Sequence, residues 1–269
     1  MELRGKKIDN ERFSKINFGR ITNLEMINTS VDEKTFQLLG SAKKLREITL
    51  EGDTITDHCL HSLGNLTDLA SIYLESTPLV TASGLKFLPA LPQLWELYLK
   101  DLNLDDSVTE ILEKCGGLKT LVLESCDITD VGVERLSRLE KLDCLSLDGT
   151  LVSGEFLANS GFENLRHLSL NSCPIERANL VSNLNRLSEL DTLGLSYTPV
   201  GDDWLQSIAE LPKLYDLRLE GTNISDTGVS FLHGHPRLTL LYLRETSVSE
   251  DAISKLKESS KCELYVYTN

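Results

Sequence analysis

The sequence predicts an α/β solenoid: a curved right-handed arc with a parallel β-sheet on its inner side and short helices or 3-10 segments outside. The prediction rests first on a recurring frame, in which an aliphatic residue is followed by aliphatics three and five places on, a Thr-type residue at eight and an aliphatic at ten. It opens ten times, at Ile21, Leu45, Leu69, Leu94, Leu118, Leu142, Leu165, Leu190, Leu214 and Leu238. The steps between these are 24, 24, 25, 24, 24, 23, 25, 24 and 24 residues, a period that belongs to stacked supersecondary units. Within each unit the apolar period also changes from two to helical spacing, which reads as a strand followed by a helix.

Taken in chain order, residues 1–20 predict an N-terminal cap. Ile8, Asn10, Phe13 and Ile16 match the back half of a repeat whose strand half is missing. Residues 21–261 form the ten repeats. In repeat nine, Leu217 and Leu219 alternate with Arg218 and Glu220, a half-buried strand. Ile224 turns inward, Asp226 sits where a carboxylate can cap a helix, and Val229 and Leu232 return to the core at helical spacing. Residues 262–269 predict a closing strand through Cys262, Leu264 and Val266, as expected where a solenoid covers its end.

Two columns of the frame have structural readings. The Thr-type column is Thr29, Asp53, Thr77, Leu102, Cys126, Thr150, Cys173, Thr198, Thr222 and Thr246. A hydroxyl there can satisfy backbone groups from rung to rung where the strand ends. Leu102 lacks such a group and predicts a local irregularity in repeat four. The acidic column is Glu33, Asp57, Asp106, Asp130, Asp202, Asp226 and Glu250. These read as helix caps and first-turn charges.

The formal charge of −14, from 27 basic and 41 acidic residues, disfavours nucleic-acid backbones and anionic lipid. The opening MELRGKKIDNERF has no apolar stretch behind its basic residues, unlike a secretory signal. No run approaches the roughly 18 uninterrupted apolar residues of a membrane span. A cytoplasmic, monomeric protein is therefore expected. Of the six cysteines, Cys126 and Cys173 stand two rungs apart in one column, about 10 Å and beyond disulfide reach. Reduced, mostly buried thiols are expected.

The stretches LKTLVLESCDITDVGVERLSRLEK (Leu118 to Lys141) and LYDLRLEGTNISDTGV resemble the leucine-rich repeat superfamily from Ile21 to the C-terminus. In style they are similar to bacterial repeats with Thr in place of Asn, and to the Cys/Thr repeats attached to F-box adaptors. The resemblance implies a leucine-rich repeat solenoid whose inner sheet binds another protein. Its F-box side implies an alternative, a substrate-recognition adaptor of a ubiquitin-ligase-type complex.

Outward strand positions supply the candidate site. One column runs Ile27, Glu51, Glu75, Lys100, Glu124, Asp148, Asn171, Ser196, Glu220 and Arg244; the central one holds Tyr73, Tyr98, Arg218 and Tyr242. A protein or peptide of basic character is expected along Glu51, Glu75, Glu124 and Asp148. Tyr73 and Tyr98 would anchor it, since tyrosine buries area at low entropic cost. Stacking of these two rings on each other is the competing structural reading. The small side chains of Cys144, Ser146, Ser169, Thr192, Gly194 and Ser196 predict a shallow place for a partner's protruding side chain.

Phosphate loops, dinucleotide fingerprints and His-Glu-x-x-His are absent from the sequence, so no cofactor, no metal and no enzymatic activity are expected. His58, His61, His233 and His235 read as surface histidines. Cys144 beside His167 is the one arrangement resembling a nucleophile and base, with no pocket and no third orienting group expected around it.

Overall fold

The computed structural model describes residues 1–5, 7, 8, 10–52, 54–159, 161–261 and 263–268, with residues 7, 8, 10, 12 and 35 described by their backbone alone. Asp53 and Cys262, assigned above to the Thr-type column and the last strand, lie outside the described residues. The chain divides into two compact units, Met1–Lys141 and Leu142–Asn269.

The first unit contains β1 (Glu2–Arg4), β2 (Lys7–Ile8), β3 (Asn23–Ile27), β4 (Ser30–Val31), β5 (Glu47–Glu51), β6 (Ser71–Glu75), β7 (Glu96–Lys100) and β8 (Thr120–Glu124). Strands β1, β3, β5, β6, β7 and β8 pair in that order, all parallel, and β2 pairs with β4. Equivalent frame positions face each other, as in Ile48↔Ile72, Ile72↔Leu97 and Leu97↔Leu121. The register follows from burial: a one-residue slip would turn these fully buried aliphatics to solvent.

The second unit contains β9 (Cys144–Ser146), β10 (His167–Ser169), β11 (Thr192–Gly194), β12 (Asp216–Arg218), β13 (Leu240–Tyr242) and β14 (Tyr265–Tyr267), paired parallel in sequence order. In both units short α or 3-10 segments return the chain between strands. Each complete repeat turns out of its strand through a left-handed residue at one frame position, from Asn28 (φ 49°) to Glu245 (φ 59°). Gly, Asn and Asp, which tolerate that conformation, fill five of these ten places.

The structure departs from the sequence reading at several places. The N-terminal strand half is present: Glu2, Leu3 and Arg4 pair with Glu25, Met26 and Ile27. Phe13 is fully buried beside Phe18, with ring centroids 5.0 Å apart. In repeat three the frame's tenth residue, Leu79, is 54% exposed, and the inward place belongs to Val80. That repeat is one of the two with 25 residues, and the shift follows Pro78.

The acids open their helices but do not cap them. The N-caps of the segments starting at Asp57, Asp106, Asp202 and Asp226 are Thr56, Asp105, Gly201 and Ser225. Each of those four carboxylates instead grips the cap residue of the next repeat. Asp57 accepts Thr81 N–H and Oγ1–H, both at 2.7 Å. Asp106 accepts Thr129 at 2.8 and 2.6 Å, Asp202 accepts Ser225 at 2.7 and 2.5 Å, and Asp226 accepts Ser249 at 2.7 and 2.8 Å. These bonds hold the Asp226 carboxyl below the usual carboxylate range. The glycine three residues after the cap is part of the staple. A Cβ on Gly84, Gly132 or Gly228 would lie 2.3, 2.2 or 2.4 Å from the gripping carboxylate oxygen.

In the Thr-type column, Thr150, Thr198, Thr222 and Thr246 donate to the carbonyl three residues back in their own repeat, at 2.5–2.7 Å. Cys126 and Cys173 reach the preceding repeat, at Leu99 O (3.8 Å) and Leu147 O (3.0 Å). Around Leu102 the strand β7 keeps its full length. The irregularity falls one rung earlier, where buried Thr77 Oγ1 has no hydrogen-bond partner among the described residues.

The described cysteines are thiols outside any disulfide; Cys59, Cys115, Cys126 and Cys173 are buried and Cys144 is partly exposed. Burial pushes the thiols of Cys115 and Cys126 up to about 12 and about 11. His58, His61 and His233 are exposed, but His235 is buried at 6% exposure. Its Nε2 donates to Leu211 O (3.1 Å) and its Nδ1 accepts from Leu238 N–H (3.0 Å), the pattern of a neutral ring.

Candidate functional site

In the first unit the outward side of β3–β8 gathers five of the expected site residues, Glu51, Tyr73, Glu75, Tyr98 and Glu124. Tyr73 and Tyr98 are register partners and their rings stack, 4.7 Å between centroids at 29°. Tyr73 Oη donates to Glu96 Oε2 at 2.7 Å. Burial, and then this bond, raise the Tyr73 hydroxyl well above the usual tyrosine range. The stacking reading is therefore correct, and it leaves the pair as one fixed aromatic ledge.

Around the ledge stand Glu25, Glu47, Glu51, Glu75, Glu96 and Glu124, against Lys100 as the one base on β3–β8. Several carboxylates have neighbours. Glu75 pairs with Lys100 at 3.1 Å, Glu51 accepts from Asn28 Nδ2 at 3.1 Å, and Glu47 accepts from Asn23 Nδ2 at 2.7 Å. Glu75 is the main reason the Lys100 ammonium titrates above its ordinary value. A carboxylate has about four acceptor sites, so single contacts of this kind leave room for an incoming donor.

In the second unit Asp148, Arg218 and Tyr242 lie on the outward side of its own sheet. Asp148 is built into that sheet: its two oxygens accept the N–H and Nδ2 of Asn171, both at 2.9 Å. Arg218 lies over the Tyr242 ring at 5.3 Å and pairs with Asp216 at 3.1 Å. Tyr242 stacks in turn on Tyr267, 4.5 Å away at 12°. Tyr267 was not among the expected residues. Its signal was available, since Leu264 and Val266 facing inward put Tyr265 and Tyr267 outward.

The small-sided stretch of this unit forms a depression of about 100 Å³, lined by Cys144, Ser146, His167, Ser169, Thr192, Gly194 and Arg218 among others. Cys144 and His167 are register partners. A third group is present after all: Asp191 Oδ1 lies 3.4 Å from His167 Nδ1. The volume is below the roughly 300–1,000 Å³ of small-molecule sites. Among the described residues no three His, Cys, Asp or Glu side chains cluster as metal ligands would. No helix there is long and apolar enough to cross a membrane.

A leucine-rich repeat family model matches residues 118–137. A putative adenylate cyclase regulatory protein of Trypanosoma equiperdum is 28% identical over 177 residues, covering 57% of this chain and 28% of that protein. The chain thus spans under a third of that relative's length. Among solved structures, an internalin (inlF) of Listeria monocytogenes superposes with TM-score 0.60 at 18% identity, over 97% of this chain and 84% of that one. The plant peptide hormone receptor RGFR1, in complex with RGF2, gives 0.53 at 18% identity, over 99% and 50%. TLR13 in its complex with ssRNA13 gives 0.57 at 20% identity, over 93% and 36%. These identities speak for fold alone: the chain has the fold of a leucine-rich repeat solenoid, and one of its repeats matches the leucine-rich repeat model.

Proposed function

We propose that this chain is a non-enzymatic protein-binding module, and that the outward sheet of its first unit receives a protein or peptide segment of basic character. One observation carries the reading: six glutamates and a single lysine surround a stacked pair of tyrosines on the outward positions of β3–β8. Rows of carboxylates on adjacent strands repel one another and cost stability, so folding alone gives no reason to place them there. A cationic partner would relieve that repulsion, and the fixed aromatic ledge offers it contact area at little entropic cost. The peptide held by the plant receptor named above is in keeping with such a use of the fold.

Affinity capture tests the reading. A bound protein should be lost from the Tyr73→Ala/Tyr98→Ala variant and retained by Tyr242→Ala, which alters the other unit. Charge reversal, Glu51→Lys with Glu75→Lys, should slow association most at low salt. Capture that survives both sets of changes would overturn it.

A further inference from the structure

Beside the tyrosine ledge, the first unit has a notch of about 360 Å³ lined by Arg46, Asp68, Ala70, Gln93 and Trp95. Its shape follows from the repeat. Ala70 N–H donates to Arg46 O, and Trp95 N–H to Ala70 O, so Arg46, Ala70 and Trp95 occupy consecutive rungs of one row. Rungs are about 4.8 Å apart, which sets Arg46 and Trp95 about 10 Å apart with only a methyl group between them. Asp68 and Gln93 hold one frame position, the residue before Leu69 and before Leu94, and form the lip.

Two properties set this notch apart from the carboxylates of the ledge. The side chains of Arg46, Asp68, Gln93 and Trp95 have no hydrogen-bond or ion-pair partner among the described residues, although they line one cavity. Trp95 is also 43% exposed, whereas Trp204, the only other tryptophan, is 5% exposed.

Resting on the reading of this unit as a docking face, we infer that the notch receives a tyrosine side chain of the docked segment. A cation would leave Arg46 facing like charge, and a carboxylate or phosphate would do the same to Asp68. A neutral ring avoids both. Carbon contacts need about 3.5–4.0 Å on each side, so two rungs admit one ring between the walls. The Arg46 guanidinium and the Trp95 indole are both surfaces on which an aromatic ring packs well. A phenol adds an O–H for Asp68 or the Gln93 carbonyl, which phenylalanine cannot supply.

The test uses N-acetyl-tyrosinamide, with N-acetyl-phenylalaninamide and N-acetyl-alaninamide as controls, and follows the two indole N–H signals by NMR. The Trp95 signal should shift saturably with the tyrosine amide while that of buried Trp204 stays still. The phenylalanine amide should bind about three- to tenfold more weakly, the worth of one exposed hydrogen bond, and the alanine amide should be silent. Ala70→Leu should abolish the response, and Asp68→Ala with Gln93→Ala should erase the tyrosine preference. Tyr73→Ala/Tyr98→Ala should leave it intact, so failure at the notch is distinguishable from failure of the ledge. A response equal for the alanine and tyrosine amides, or one that survives Ala70→Leu, would overturn the inference.

Discussion

The two units share a frame but finish their strands differently. In the first, β3, β5, β6, β7 and β8 each run five residues; in the second, β9 to β14 each run three. For β10, β11 and β12 a cause is visible in the outward column that follows the second buried aliphatic. In the second unit that column is Asp148, Asn171, Ser196, Glu220 and Arg244. Short side chains there reach the neighbouring backbone: Asn171 N–H donates to Asp148 Oδ1 (2.9 Å), Ser196 N–H to Asn171 Oδ1 (2.7 Å) and Glu220 N–H to Ser196 Oγ (3.1 Å). These amides leave the backbone ladder for a side-chain ladder, and the regular strand ends early. Gly194 gives it room, since a Cβ there would lie 2.6 Å from Ser169 Oγ. In the first unit that column holds Ile27, Glu51, Glu75, Lys100 and Glu124, and the backbone ladder runs through it. One unit uses the column for folding and the other presents it.

The sharpest way to break that comparison is Asn171→Leu. It removes the acceptor for Ser196 N–H and both Asn171 Nδ2 bonds, and should cost about 3 kcal/mol in urea unfolding. Glu75→Gln, at the equivalent place in the first unit, should change stability by about 0.5 kcal/mol or less, because it loosens only an exposed ion pair. Similar losses in the two variants would refute the contrast.

The carboxylate staples, by comparison, are common to both units. Gly132→Ala and Gly228→Ala should each cost about 2 kcal/mol through overpacking. Adding Asp106→Ala to the first, or Asp202→Ala to the second, should relieve part of that cost. Strictly additive losses would mean that the glycine and the acid are not coupled.

A smaller effect belongs to the second unit alone. Burial holds the His235 imidazole below its ordinary value, so its neutral form stabilises the fold. That contribution is complete above about pH 6.5, the unfolded value, and is lost as pH falls through the lower folded value. His235→Leu should flatten the acid limb of a stability–pH profile between about pH 7 and about pH 5. In repeats such as the one holding Leu187 and Leu190, the N–H paired here with His235 Nδ1 bonds instead to the carbonyl three residues back, so the leucine has a ready backbone arrangement. An unchanged acid limb would show that His235 is not its source.

The least perturbing test is Glu75→Asn, which gives the first unit a short side chain like that of Asn171. It should slow hydrogen exchange at Lys100 N–H only slightly, with little change in global stability. A large global change would mean that column chemistry is not what separates the units.

Much of this was legible before any coordinates. A frame with known spacing puts Tyr73 beside Tyr98 and Cys144 beside His167, because parallel rungs pair like positions. The frame held the signal for a buried His235: three residues before the first aliphatic of the other nine repeats stand Phe18, Ala42, Leu66, Leu91, Cys115, Leu139, Phe162, Leu187 and Leu211, all buried. A histidine in that file had to be buried too. The acidic column was harder. Propensity describes an acid's effect on its own helix, and these carboxylates bond to the next one, 23 or 24 residues on.

The chain by itself determined the ten-repeat frame, the register and the face that most strand side chains take, since burial of one aliphatic set per repeat leaves a single way to stack. Tertiary structure decided how the polar groups on that scaffold were spent. Whether Asp148 projects or bonds to Asn171, and whether Asp106 caps its own helix or the next, depends on reach between neighbouring rungs. That reach is a distance in space of a few ångströms between residues some two dozen apart in sequence, and no local pattern contains it.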